Sequence, residues 1–200
     1  VTGGQSYVPE NYQVRIHLQK PDGTLAPPLS YARSLSPRAG LALIDVDGDG
    51  RKEVVVASPE SLLVLRWTGL GKGVGFSSNV IEGEFGDTVA IADIDRDGRA
   101  DLVTQGNGRL TPHFNDGMGG FRSGDATLVP QIDFRGSITA GDVDGDGWDD
   151  IILSSGVPQV SRVYLNRGDR QLPWAIELRG GRTVEQALAV VGDFGPDDVN

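Results

Sequence analysis

Short apolar runs recur along the chain in a fixed order, each bounded by turn residues. Leu41–Ile44, Val89–Ala92 and Ile138–Gly141 each end at an aspartate. A second set, Val54–Ala57, Leu102–Thr104 and Ile151–Leu153, follows after a nine-residue acidic loop. A third set, Leu62–Trp67, Leu110–Phe114 and Ser161–Leu165, leads into Gly-rich turns at Thr68–Gly71, Asn115–Gly119 and Asn166–Asp169. Runs this short, rich in β-branched residues and closed by Asp and Gly, predict buried strands. No window sustains a 3.6-residue apolar period. The weak candidate Thr183–Val190 leads into another aspartate and reads as strand.

The acidic loops begin at Asp45, Asp93 and Asp142, a spacing of 48 and 49 residues. A period of that length with about four short strands per unit predicts the blades of a β-propeller. The expected fold is all-β, with blades of about four antiparallel strands and an acidic loop between the first two. Residues 1–38 form a partial blade, with a strand at Val14–Leu18 and a turn at Pro21–Thr24. Full blades are expected at 39–86, 87–135 and 136–186, and 187–200 begins another at Ala189–Asp193. The array is either part of a larger ring, the favoured reading, or a four-bladed ring closed by its own two ends.

The loops read Asp45-Val-Asp-Gly-Asp-Gly-Arg-Lys-Glu53, Asp93-Ile-Asp-Arg-Asp-Gly-Arg-Ala-Asp101 and Asp142-Val-Asp-Gly-Asp-Gly-Trp-Asp-Asp150. Carboxylates at positions 1, 3, 5 and 9 repel one another and raise each other's pKa unless a cation sits among them. Oxygen donors select a hard dication, calcium first and magnesium a distant second. Net charge is −10, but twelve of the 28 acidic residues occupy those loop positions. Three dications would bring the total to −4, so the acidity is mostly metal-site chemistry. No basic stripe exists to meet nucleic acid, and no apolar stretch is long enough to span a membrane. Cysteine is absent, which excludes disulfides and thiolate metal sites. The start at Val1 reads as a mature or trimmed terminus. Sites of this kind fill where calcium is abundant, so an extracellular, cell-surface or periplasmic location is expected.

The pattern of apolar run, Asp-x-Asp-x-Asp-Gly-x-x-Asp and apolar run resembles the FG-GAP and VCBS repeats of integrin-α-like β-propellers. Asn166-Arg-Gly-Asp169 and His113-Phe-Asn-Asp-Gly-Met-Gly-Gly-Phe121 are similar to that family's Asn-x-Gly-Asp-Gly turn. The resemblance spans roughly residues 12–200 and implies a ring of seven or eight blades. Residue by residue, the first calcium site takes Asp45, Asp47, Asp49, the Arg51 carbonyl and Glu53. The second takes Asp93, Asp95, Asp97, the Arg99 carbonyl and Asp101. The third takes Asp142, Asp144, Asp146, the Trp148 carbonyl and Asp150. Glu53 departs from the aspartate expected at position 9. A fourth loop at Asp193 has Gly195 and Asp198 at positions three and six and is doubtful. An EF-hand needs glutamate at position 12, where this chain has Val56, Thr104 and Leu153.

Catalytic signals are sparse. His17 and His113 fall in expected strands, where a local hydrogen bond is the simpler role. Ser77-Ser78 and Ser154-Ser155 are expected in turns, without a nucleophile motif. Gly69–Gly75 lacks the Gly-Lys-Ser/Thr ending of a phosphate loop. Arg167-Gly168-Asp169 spells an adhesive tripeptide, but the turn pattern accounts for it. Trp67, Trp148, Trp174, Tyr31 and Tyr164 are candidate sugar platforms. Trp148, at the variable seventh loop position, is the first choice for contact with a ligand. Three functions fit: a non-catalytic module binding glycans or proteins, the propeller portion of a carbohydrate-active enzyme such as a polysaccharide lyase, or a subunit of an extracellular assembly. An incomplete ring would favour self-association through exposed blade edges.

Overall fold

The computed structural model describes residues 13–32, 39–69, 75–129, 136–155, 160–172 and 175–179. Among the described residues there are fifteen strands and no helix. Strands β1 (Gln13–Ile16) and β2 (Leu29–Ala32) make an antiparallel hairpin. Strands β3 (Gly40–Ile44), β4 (Glu53–Ser58), β5 (Ser61–Gly69) and β6 (Gly75–Glu82) form an antiparallel meander in that order. The second sheet repeats it with β7 (Thr88–Ala92), β8 (Asp101–Gly106) and β9 (Arg109–Asn115). Its fourth strand is split into β10 (Phe121–Ser123) and β11 (Thr127–Leu128), both paired with β9. The third contains β12 (Ser137–Gly141), β13 (Asp150–Ser155), β14 (Val160–Tyr164) and β15 (Ala175–Arg179). Each acidic loop joins the first two strands of its sheet, as the apolar periodicity predicts.

Both faces of the first two sheets carry apolar side chains, because each of these packs against a neighbour on either side. Ala42, Ile44, Val55, Leu62 and Val64 of the first sheet meet Phe85, Val89 and Leu102. Ala92, Val103, Leu110 and Phe114 of the second meet Ile151, Leu153 and Tyr164 of the third. The opposite face of the first sheet, at Val56, Leu63 and Leu65, is covered by Val14, Ile16 and Tyr31 of the hairpin. Tyr31 accepts a hydrogen bond from the Phe76 N–H at 2.7 Å. The cover stops short of β3, where Leu41 and Leu43 stay 65% and 55% exposed.

Several expected positions shift. Ser77-Ser78 lie within β6 and Ser154 within β13, because their turns begin later than the apolar runs suggest. The Gly69–Gly75 segment is described only at its ends, Trp174 and the Asp193 loop lie outside the described residues, and so does any ring closure. His17 lies beyond β1 and is exposed, its ring nitrogen 3.3 Å from the Ala26 carbonyl.

His113 is wholly buried on β9, with Nε2 2.9 Å from Thr104 Oγ1 and Nδ1 2.9 Å from Ser123 Oγ. Phe85, in the connector from β6 to β7, packs on its ring with centroids 4.7 Å apart. Burial pushes its pKa down to about 4, because the apolar surroundings disfavour imidazolium. Unfolding therefore takes up a proton between that value and the ordinary 6.5. Stability from this group is complete above pH 6.5 and is lost as pH falls towards 4, on the order of 3 kcal/mol in all. Chemical denaturation across that range should show the stability advantage of the wild type over His113→Gln shrinking as pH falls, the contribution of the raised carboxylates cancelling in the difference.

Candidate metal centres

Each acidic loop is a tight wrap of backbone around its first aspartate. Asp45 accepts the N–H groups of Gly48 and Gly50, both at 2.8 Å. Asp142 does the same for Gly145 and Gly147 at 2.7 and 2.8 Å. Asp93 accepts from Asp97 and Gly98 at 3.1 and 3.0 Å. Such a wrap needs a left-handed residue at position six, and Gly50, Gly98 and Gly147 have φ of 83°, 84° and 85°. Only glycine takes that conformation without steric cost. Position four is also left-handed: Gly48 and Gly145 fill it in two loops, and Arg96, with φ of 54°, fills it in the second. Asp49, Asp97 and Asp146 each accept the N–H two residues on, at 2.8, 2.9 and 2.9 Å.

The ninth position is different in kind. Glu53, Asp101 and Asp150 are almost completely buried. One oxygen of each accepts the N–H of loop position two, from Val46, Ile94 and Val143 at 2.9 to 3.0 Å. In the second and third loops the other oxygen accepts the N–H of Asn115 or Asn166, at 2.8 and 2.9 Å. In the first, the longer glutamate instead meets Arg66 Nε at 3.4 Å, and Arg66 also pairs with Asp47 at 2.8 Å. Burial pushes Asp101 up to about 6, with the charges of Asp95 and Asp97 adding to the shift. Asp150 is raised for the same leading reason.

Carboxylate oxygens of Asp45, Asp47 and Glu53 converge within 4.8 Å, as do those of Asp93, Asp95 and Asp101. The third loop brings together Asp142, Asp144 and Asp146. Asp49 and Asp97 stand outside their clusters, and Asp97 faces the Arg99 guanidinium. Asp150 stands outside the third cluster. Asp95 Oδ1 is buried without a hydrogen-bond partner, while its other oxygen pairs with Arg170, in the turn after β14, at 2.8 Å. An all-oxygen donor set with one orphaned buried oxygen fits a hard cation. The clusters can hold a metal ion.

The loops are also fastened to one another. Asn115 Nδ2 donates to the Asp45 carbonyl of the first loop at 2.9 Å. Asn166 Nδ2 donates to the Ile94 carbonyl of the second at 2.9 Å. The Asp93 N–H donates to Asp149 at 3.0 Å. Sequence reasoning saw these asparagines only as turn residues, since nothing local shows that their amides cross to the preceding sheet.

Of the aromatic candidates, Tyr164 is 2% exposed and cannot serve as a platform. Its position on β14 faces the core shared with the second sheet. Trp67 and Tyr31 are half-buried and each packs against Phe76. Trp148 is half-buried, with the Arg96 guanidinium 4.8 Å from its ring centre. An added Cβ on Gly168 would stand 2.6 Å from that ring, so the turn bearing Arg167 and Asp169 packs flush on it.

Residues 45–104 and 93–153 match the sequence profile of the FG-GAP-like repeat. The chain belongs to the FG-GAP-like repeat family. The two overlapping matches run from the start of the first acidic loop into β13 and contain all three loops. An Agrocybe aegerita lectin, solved for its specific recognition of non-reducing terminal N-acetylglucosamine, is similar with 24% identity and a TM-score of 0.51. That likeness covers 82% of this chain and 46% of the lectin. A Photorhabdus luminescens Tc holotoxin pore is similar with 23% identity and a TM-score of 0.48, over 86% of this chain and 8% of that one. A TcdB2–TccC3 structure is similar with 24% identity and a TM-score of 0.45, over 80% and 8%. The FG-GAP chain thus spans less than half of the lectin and less than a tenth of the toxin chains. The lectin likeness shows a shared fold. No curated protein matches the chain.

The ninth-position carboxylate gives a test independent of any ion. Asp101→Ala would leave the buried N–H groups of Ile94 and Asn115 without acceptors. Each orphaned group costs about 1–3 kcal/mol. Urea unfolding in chelator should therefore show a clearly lower midpoint for the variant than for wild type.

Proposed function

We propose that the chain is a calcium-stabilised, non-catalytic binding module of an extracellular, cell-surface or periplasmic protein, with a glycan or a protein as its ligand. The observation that carries the metal half is the buried oxygen of Asp95, unpartnered within an all-oxygen cluster. Asp45, Asp47 and Glu53 would hold one ion, Asp93, Asp95 and Asp101 a second, and Asp142, Asp144 and Asp146 a third. Asp49, Asp97 and Asp150, with the carbonyls of Arg51, Arg99 and Trp148, complete the sets that the repeat pattern implies. A bound dication supplies charge neutralisation where the carboxylates converge. Calcium fits better than magnesium, because carboxylates and carbonyls on a flexible loop suit its variable geometry.

The binding half rests on fold-level analogy. Meanders of this type present rigid loops at their ends, and a lectin of similar fold recognises a terminal sugar. Saccharides are therefore the first ligands to test. The enzyme reading finds little support in the histidines: His113 is buried with both ring nitrogens bonded. A calcium-rich location follows from the metal reading, since weak oxygen sites fill outside the cytosol.

Calcium bound only to the folded state stabilises it by mass action, about 2.7 kcal/mol per site at a hundredfold excess over Kd. Thermal melts in millimolar calcium and in excess chelator should differ by many degrees. Identical melts would sink the structural role of calcium.

A further inference from the structure

The crevice between the first and second sheets opens into a cleft of about 830 Å³, at the ends of β4 and β8 away from the acidic loops. Its rim carries Glu60, Glu84, Arg109 and Asp125, all exposed. Among the described residues none of these four has an ion-pair partner. Thr104 and Ser123 line it and are joined by the buried ring of His113.

Three observations say that the cleft is built rather than incidental. First, the second sheet is the one whose outer strand is split, and the interrupted residues Gly124, Asp125 and Ala126 line the cleft. The split falls opposite Pro112, which has no N–H to give; its carbonyl still accepts from Gly124 at 2.9 Å. Interruptions of this kind re-aim side chains and free backbone groups beside sites. Second, the connector from β6 to β7 lies flush on the β8 backbone. A Cβ on Gly86 would stand 2.2 Å from the Gln105 carbonyl oxygen, and one on Gly106 2.6 Å from Gly86 Cα. Third, the lining residues Thr104 and Ser123 are each bonded to the buried His113 ring behind them, on which Phe85 packs, so that part of the wall is fixed before any ligand arrives.

We propose that this cleft is the ligand site of the binding module, and that it takes a neutral, hydroxyl-rich saccharide. The assignment rests on the binding reading above and adds the site and the ligand class to it. Three carboxylates against one guanidinium leave the rim at −2, which repels uronate, sulfate and phosphate groups. The guanidinium within the same rim works against a basic peptide. Carboxylates accept from neighbouring hydroxyls, Arg109 donates to ring and hydroxyl oxygens, and Thr111 can do either. Small-molecule pockets for apolar ligands are lined mainly by apolar side chains, and this one is lined mainly by polar groups. A preformed wall lowers the ordering cost of binding, which suits a ligand held by hydrogen bonds.

The test uses the full chain in millimolar calcium. An array would carry neutral oligosaccharides ending in N-acetylglucosamine, galactose, glucose or mannose, beside uronate-bearing and sulfated ones and an arginine-rich peptide. The best neutral binder is then titrated against wild type, Arg109→Ala, Asp125→Asn, Glu60→Gln and Trp148→Ala, each first matched to wild type by its melting curve. The expected result is neutral-sugar binding, at least tenfold weaker in Arg109→Ala and Asp125→Asn and unchanged in Trp148→Ala. Full affinity in all three cleft variants, or loss in Trp148→Ala alone, overturns the cleft and leaves the binding function standing. Capture of only the charged saccharides or the peptide overturns the ligand class. A folded wild type that binds nothing on the array overturns the binding function together with the cleft.

Discussion

The buried carboxylate that ends each acidic loop is the contact on which the arrangement turns. Glu53, Asp101 and Asp150 sit at the first residue of a second strand, away from water, with one oxygen on the loop backbone. A buried carboxylate without partners is costly, so its position fixes whatever donates to it. Asp101 and Asp150 take the N–H of Asn115 and Asn166, and those asparagines reach across to carbonyls of the preceding loop. Hydrogen bonds thus run from the first loop to the second sheet and from the second loop to the third. The same carboxylates in the first two loops face the clusters suited to a cation. At Asp101 a cluster suited to a cation and the inter-sheet fastening share one carboxylate.

This sharing gives the two ends of each sheet different characters. At the loop end, charge is concentrated and held by backbone donors and by guanidinium groups of Arg66 and Arg170. At the far end, the sheets are joined by close backbone approach at Gly86 and Gly106. Unpaired charged side chains there surround open space rather than one another. A fold that secures itself at one end leaves the other free to vary, which is where a recognition surface costs least in stability.

Much of this was legible in the chain. The apolar runs marked the strands, and a period of 48 and 49 residues marked the repeat. Strand side chains alternate with period two and buried runs read as continuous apolar stretches, so short blocks such as Val54–Ala57 needed no tertiary information. The Asp-x-Asp-x-Asp-Gly pattern likewise fixed which residues wrap, because only glycine at position six allows the turn and only aspartate caps it with both oxygens. Limits lay at the strand ends: Ser77-Ser78 and Ser154 belong to strands because pairing with β5 and β14 carries them past the apolar run.

The sequence by itself determined the strands, the acidic loops and the oxygen-rich chemistry at their centres, since these follow from local spacing and from backbone conformations open to few residues. Tertiary structure alone decided which carboxylates converge. Position nine joins the cluster in the first two loops and position five in the third, a matter of side-chain direction that spacing does not encode. It alone buried Tyr164, covered Trp148 with Arg96 and brought Glu60, Arg109 and Asp125 to one cleft. Those residues come from two sheets separated by tens of positions in the chain. Their meeting depends on how flush the sheets pack, and that is set by the whole interface between them.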